Sequence, residues 1–152
     1  MRPLRMAVPA LVFLGLSVPA YAQWSMGVRG GASADPKQAF VGFQLESKGL
    51  EPHTSLTFRP NVEVGFGSGE TLVSTNLEFA FWVKFSDTWR GYFGGGPSVV
   101  YAHGGGVNSV FGSYDGFVGF QNRSGLFIEM KHGHGANPSL RVTVGLVLKT
   151  KK

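Results

Sequence analysis

The chain has 152 residues, 14 Lys and Arg against 9 Asp and Glu, and no cysteine. That length suits one domain, and without a thiol there is no disulfide, no thiolate metal centre and no cysteine nucleophile. The cations form no stripe of the kind that grips nucleic acid, so no such partner is expected.

Arg2 and Arg5 precede an apolar stretch, Ala7 to Leu16, and Ala20-Tyr21-Ala22 has the small-x-small form of a signal-peptidase site. The stretch is too short to cross a bilayer as a helix. Residues 1–22 are therefore expected to be a cleaved export signal and 23–152 the mature domain. Without Arg2 and Arg5, twelve cations face nine acids, a net charge of +3.

No segment of the mature chain has helical spacing; eight segments alternate apolar and polar residues instead. The first, Trp24 to Gly31, has Arg29 on its polar parity, and the second, Ala39 to Glu46, ends on Glu46. The third, "SLTFRPNVEVGFG", sets Leu56, Phe58, Val62 and Val64 against Arg59, Asn61 and Glu63. The fourth, "VSTNLEFAFWVKF", sets Val73, Leu77, Phe79 and Phe81 against Glu78 and Lys84. Trp89 to Tyr101 carries Arg90, Val110 to Gln121 carries Asp115, and Gly125 to Lys131 carries Glu129 and Lys131. The last, "LRVTVGLVLK", opposes Val142, Val144 and Leu146 to Arg141 and Thr143.

The apolar parity stays almost purely apolar over about ten residues, the length a tilted strand needs to cross a bilayer. The polar parity mixes opposite charges. This pattern predicts an all-β fold, an eight-stranded antiparallel up-and-down transmembrane barrel with its apolar side chains outward. An eight-stranded lumen is only wide enough to be filled by side chains. Arg29, Glu46, Arg59, Glu63, Glu78, Lys84, Arg90, Asp115, Glu129, Lys131 and Arg141 would then pair with one another as a charge network, leaving no wide pore. A soluble periplasmic barrel that binds a small ligand is the alternative, and it would turn the two faces round.

The connections carry the Gly, Pro, Asn, Asp and Ser of turns. "SKGLEPH", "SDT" and "NRS" fall at the end holding both termini; "ASADPKQ", "GSGE", "HGGGVN" and "GHGANP" fall at the other. None exceeds about eight residues, too short for a plug or a large lid. Trp24, Phe85, Trp89 and Phe120 fall at the terminal end, where an aromatic girdle would sit. The clusters "GFGSG" and "YFGGGP" open no helix and suit strand bends better than a phosphate cradle.

In these respects the chain resembles the small eight-stranded outer-membrane barrels of Gram-negative bacteria, of the outer-membrane protein A/X and opacity-protein type. The resemblance implies a monomer in the bacterial outer membrane. Its partners would be outer-membrane lipid, lipopolysaccharide and the barrel-insertion machinery, with a structural or surface-interaction role and no cofactor. Such proteins usually end on an aromatic residue that the insertion machinery recognises; here the last strand ends on Leu148 and a basic tail.

Two chemical readings attach to "EMKHGHGANPS". His132 and His134, with His103 from a loop at the same end, have the residue type and spacing of a three-histidine metal site, although exposed histidines in glycine-rich loops are the plainer reading. The stretch also bears a weaker resemblance to lipid A 3-O-deacylase barrels, which would imply an outer-leaflet hydrolase. His134 stands where their serine nucleophile stands, leaving His132, Ser139 and Glu129 as the only catalytic candidates. The preferred reading is no enzyme: Glu129 and Lys131 belong to the lumen, and His132 onward is an exposed loop.

Overall fold

The computed structural model describes residues 24–50 and 54–148. The expected export signal and the basic tail lie outside the described residues. Eight strands follow one another in chain order: β1 (Trp24–Ala34), β2 (Lys37–Ser47), β3 (Leu56–Gly67), β4 (Glu70–Lys84), β5 (Trp89–Gly104), β6 (Val107–Asn122), β7 (Leu126–His134) and β8 (Arg141–Leu148). Each pairs antiparallel with the next, and β8 returns to β1 between Met26↔Leu148 and Ser33↔Arg141, so the sheet is a closed barrel. Closure leaves no sheet edge along the paired length.

Period two decides which side chains go where. On β3, Thr57, Arg59, Asn61 and Glu63 are buried in the lumen, while Val62 points out. On β8, Thr143 is fully buried and its neighbour Val144 is 50% exposed. Every strand contributes to an apolar outer belt, from Val28, Val41 and Val62 through Phe79, Phe93 and Val118 to Ile128 and Val144. The molecule is thus polar inside and apolar outside, the reverse of a water-soluble barrel.

The strands run further than their alternation suggests. β1 and β2 are joined by Asp35-Pro36 alone, and β5 and β6 by Gly105-Gly106. Both glycines of the second turn have left-handed backbone angles (φ +56° and +77°), as a two-residue hairpin turn with the sheet's own twist requires. β7 continues through Lys131 to His134, so the expectation of a loop from His132 onward is corrected. Tyr114↔His134 and Gly116↔His132 are paired rungs of the β6–β7 ladder, and Gly133 fits where a larger residue would meet Pro138.

Apolar side chains cluster towards both ends of the lumen. Ala80, Trp82, Tyr92 and Phe117 cluster towards the terminal end, with Trp82 Nε1 donating to Thr57 Oγ1 at 2.9 Å. Leu72, Val100 and Ala102 cluster at the opposite end, with Ala136 against them. On the outer surface near the termini, aromatic rings adjoin in pairs: Trp24–Phe58 at 6.3 Å, Phe58–Phe79 at 5.1 Å, Phe81–Phe93 at 5.8 Å and Phe85–Phe120 at 5.9 Å.

Close packing of β5 against β4 depends on glycine. A Cβ on Gly94 would lie 1.9 Å from the Phe79 carbonyl oxygen, whereas one on Gly112 would meet nothing within 4 Å. Gly94→Ala is expected to lower unfolding stability by about 1–3 kcal/mol, the range for overpacking. Gly112→Ala should stay within about 0.5 kcal/mol of the parent. Urea titration of the two variants in detergent checks the difference.

Candidate functional site

The lumen holds the greatest concentration of polar chemistry, and its members come from all eight strands. Glu129 on β7 is the hub. Its Oε1 accepts from Arg29 Nη2 at 2.5 Å, while its Oε2 accepts from Tyr92 Oη at 3.0 Å and from Arg59 Nη1 at 3.3 Å. Arg59 also approaches Glu46 (3.5 Å) and lies over the ring of Tyr92, 4.5 Å from its centroid. An aromatic face partly replaces water for a guanidinium in such a place.

A second set lies towards the opposite end. Glu63 on β3 sits between Arg29 (3.0 Å), Lys131 (3.4 Å) and Arg141. Lys131 also bonds Glu78, and Arg141 bonds Asp115. All of these side chains are buried, so each charge depends on its neighbours for stabilisation. Amides fill the gaps. Gln44 Oε1 accepts from Arg29 at 3.2 Å, and Asn76 Nδ2 donates to Asn61 Oδ1 at 2.7 Å.

Two residues expected in this network stand apart from it. Lys84 is the last residue of β4, its side chain 68% exposed and paired with Asp87 at 2.7 Å. Its parity is inward, but the barrel wall ends there and the side chain finds water. Arg90 partly covers the terminal mouth. It lies over the Trp82 ring at 4.4 Å and donates to Gln121 at 2.9 Å, with no carboxylate at ion-pair distance among the described residues.

Asn137 joins the lumen although it lies on no strand. The connection from β7 to β8 folds over the mouth and lowers this side chain inside. There Nδ2 donates to Ser98 Oγ at 2.7 Å and Asp115 Oδ2 at 3.3 Å, and Oδ1 accepts from Ser74 Oγ at 3.3 Å. Three strands are thereby bonded to one loop residue. The short length of "GHGANP" argued against any plug, and loop residues have no parity to read, so nothing in the sequence marked Asn137. Beneath Pro138, between Ser33, Gln38, Glu63 and Arg141, remains a cavity of about 10 Å³, room for about one water.

The candidate hydrolase and metal residues are dispersed. Glu129 faces inward and is committed to Arg29, Arg59 and Tyr92, whereas His132 faces outward on the same strand. Ser139 is held through its backbone, its N–H donating to Asp35 and its carbonyl accepting from Gly133. No hydrogen bond links His132 to Ser139 or Glu129 among the described residues. A general base needs such contact with its nucleophile. His134 stacks on Tyr114 at 4.9 Å, while His103 lies on β5, its Nδ1 2.5 Å from Asn108 Oδ1, with β6 between it and the other two histidines. Among the described residues, no three His, Asp or Glu are grouped to hold a metal.

The sequence matches no family model and no curated protein. The fold does have solved counterparts. Neisserial surface protein A superposes with a TM-score of 0.62 at 12% identity, over 84% of this chain and 95% of that one. The N-terminal β-barrel domain of Pseudomonas aeruginosa OprF gives 0.60 at 9% identity, over 83% and 97%. The fold is that of the small eight-stranded outer-membrane barrels. The outer membrane enzyme PagL aligns more loosely, at a TM-score of 0.48 and 14% identity over 81% and 96%, too distant for any residue role to be carried across.

Removing one partner from a buried ion cluster strands the others. Lys131→Met leaves Glu78 without its cation and Glu63 with one fewer, and should cost about 3–5 kcal/mol of unfolding stability. Lys84→Met removes an exposed pair and should cost under about 1 kcal/mol. Equal effects in urea unfolding would contradict this division of the charges between lumen and rim.

Proposed function

We propose that the protein is an integral outer-membrane β-barrel with a structural or surface-interaction role, its lumen closed by its own charge network. The observation that carries this reading is the inversion of the two faces. All eight strands put apolar side chains on the outside, and the charges that would make a water-soluble surface are buried within. Exposed to water, so continuous an apolar belt would drive aggregation; in a bilayer it is the expected surface. This disfavours the soluble periplasmic alternative. The aromatic pairs near the termini lie where an interfacial girdle belongs.

A packed lumen supports a role other than transport. Salt bridges cross its middle, Asn137 lies beneath the opposite mouth, and the cavity beside Arg141 there is of water size. In this reading the chain is exported by its N-terminal signal, inserted by the barrel-insertion machinery and surrounded as a monomer by phospholipid and lipopolysaccharide. The hydrolase reading draws no support from residues on opposite faces of β7.

Expression in a Gram-negative host should bring the protein down with outer membranes, as a band whose gel mobility changes on boiling. Recovery in the aqueous fraction without detergent would overturn the membrane assignment. Within the barrel, Val144→Arg on the outer face should cost about 2–4 kcal/mol near the bilayer midplane. Thr143→Arg should act through crowding of the lumen instead, and so respond little to lipid thickness. Identical behaviour of the two variants in bilayers of differing thickness would contradict the orientation of the faces.

A further inference from the structure

At the end away from the termini, two different kinds of contact close the lumen, one above the other. The deeper one is ionic and runs from strand to strand. Arg141 of β8 bonds Glu63 of β3 and Asp115 of β6, and Lys131 of β7 bonds Glu78 of β4. Above this floor the cover is the β7–β8 connection. Its far side is fixed through the backbone: Ser139 N–H donates to the Asp35 carbonyl and Ala34 N–H to the Leu140 carbonyl, both at 2.9 Å. From Gly135 to Pro138, only Asn137 hydrogen-bonds inward among the described residues. Its backbone N–H donates to Ser113 Oγ at 3.3 Å, and its amide holds Ser74, Ser98 and Asp115. Gly135, where the connection leaves β7, has φ +74°, a backbone region open to glycine at little cost.

Between cover and floor lies the cavity of about 10 Å³, with Ser33, Gln38, Ser74, Glu63 and Arg141 as its polar lining. Arg141 Nε is buried and has no hydrogen-bond partner among the described residues. A polar space of this size suits one water. The two closures differ in what water can do to them. The cover is held by one neutral amide, whose bonds water can replace. Parting the floor would strand buried ions. The cover therefore gives way first, and the floor stays shut beneath it.

We propose that the β7–β8 connection is a lid, latched by Asn137, that lifts to admit water and small uncharged hydrogen-bonding solutes to the chamber above Arg141. Gly135 is the hinge on one side, and the backbone bonds of Ser139 and Leu140 hold the other. The floor ion pairs join strand residues only, so no pore opens when the lid lifts. Local opening of this kind is governed by the few contacts that hold the segment rather than by the stability of the whole barrel.

Because the chain has no cysteine, single introduced thiols report access. The full chain, refolded in detergent micelles, is treated with 2-hydroxyethyl methanethiosulfonate, and the adduct is followed by mass. Ser74→Cys lies beneath the lid, Thr143→Cys beneath the floor, and Val107→Cys, exposed at the same rim, calibrates the reagent. With Asn137 in place, Ser74→Cys should react far more slowly than Val107→Cys. Adding Asn137→Ala should speed it about tenfold or more, because each lost hydrogen bond shifts the open population several-fold. Ser98→Ala, which removes one latch bond from the strand side, should speed it less. Thr143→Cys should stay unreactive throughout. A Ser74→Cys rate that neither change alters, in barrels that keep their heat-modifiable band, overturns the proposal. So does a rate equal to that of Val107→Cys before any change, since the chamber then has no lid. Thr143→Cys reacting in step with Ser74→Cys would mean that the whole barrel opens, and the lid is wrong again. If Asn137→Ala gives no heat-modifiable band, the Ser98→Ala rate decides by the same criterion.

Discussion

Everything in this barrel depends on one electrostatic constraint: a charge buried in a narrow lumen has to be neutralised by another strand. Glu129 from β7 meets Arg29 from β1 and Arg59 from β3; Glu63 from β3 meets Arg29, Lys131 and Arg141 from three different strands. Such pairs add little net stability over an apolar filling, because the desolvation of both ions offsets their attraction. What they add is specificity. A two-residue slip of one strand would keep its apolar face outward and satisfy the period-two rule. It would also move each charge by two rungs and leave buried ions unmatched. The network therefore discriminates among registers that the apolar belt alone cannot tell apart.

The same constraint explains how an apolar exterior and a polar interior coexist in so short a chain. The outer belt needs no internal partner, so shape complementarity falls almost wholly on the lumen. There long side chains interdigitate and aromatics provide the flat surfaces on which guanidinium groups lie. Tyr92 illustrates the economy. Its hydroxyl donates to Glu129, its ring supports Arg59, and its edge packs near Phe117. Glycine takes the positions where a neighbouring backbone comes too close for any side chain, as at Gly94.

How much of this could be read beforehand follows from where periodicity exists. The strands, their faces and the inward acids and cations of the mid-barrel were legible because alternation fixes direction once the apolar face is known. Glu63, Glu78, Glu129 and Lys131 are examples. Which of them would touch was not legible, since that depends on the stagger of strands round the barrel. Lys84 was misplaced because parity carries on past the point where the wall ends, and Arg90 because its companion proved to be an indole face rather than a carboxylate. The glycines of the "HGHG" stretch read as loop in the sequence, yet Gly133 serves strand geometry there and β7 runs on to His134. Asn137 had no pattern to betray it. Its role appears only when the chain returns over the mouth and meets three strands at once.

The turn at Gly105-Gly106 has a practical corollary. Neither glycine has any atom within 4 Å of where a side chain would sit, and the two strands it joins are paired from Gly104↔Val107 to Trp89↔Asn122. Foreign sequence spliced between these glycines would be carried at the barrel's far rim, remote from the lumen charges. The molecule thus has the makings of a compact display scaffold: a hairpin secured along its whole length, with an insertion point that touches none of the contacts holding the barrel in register.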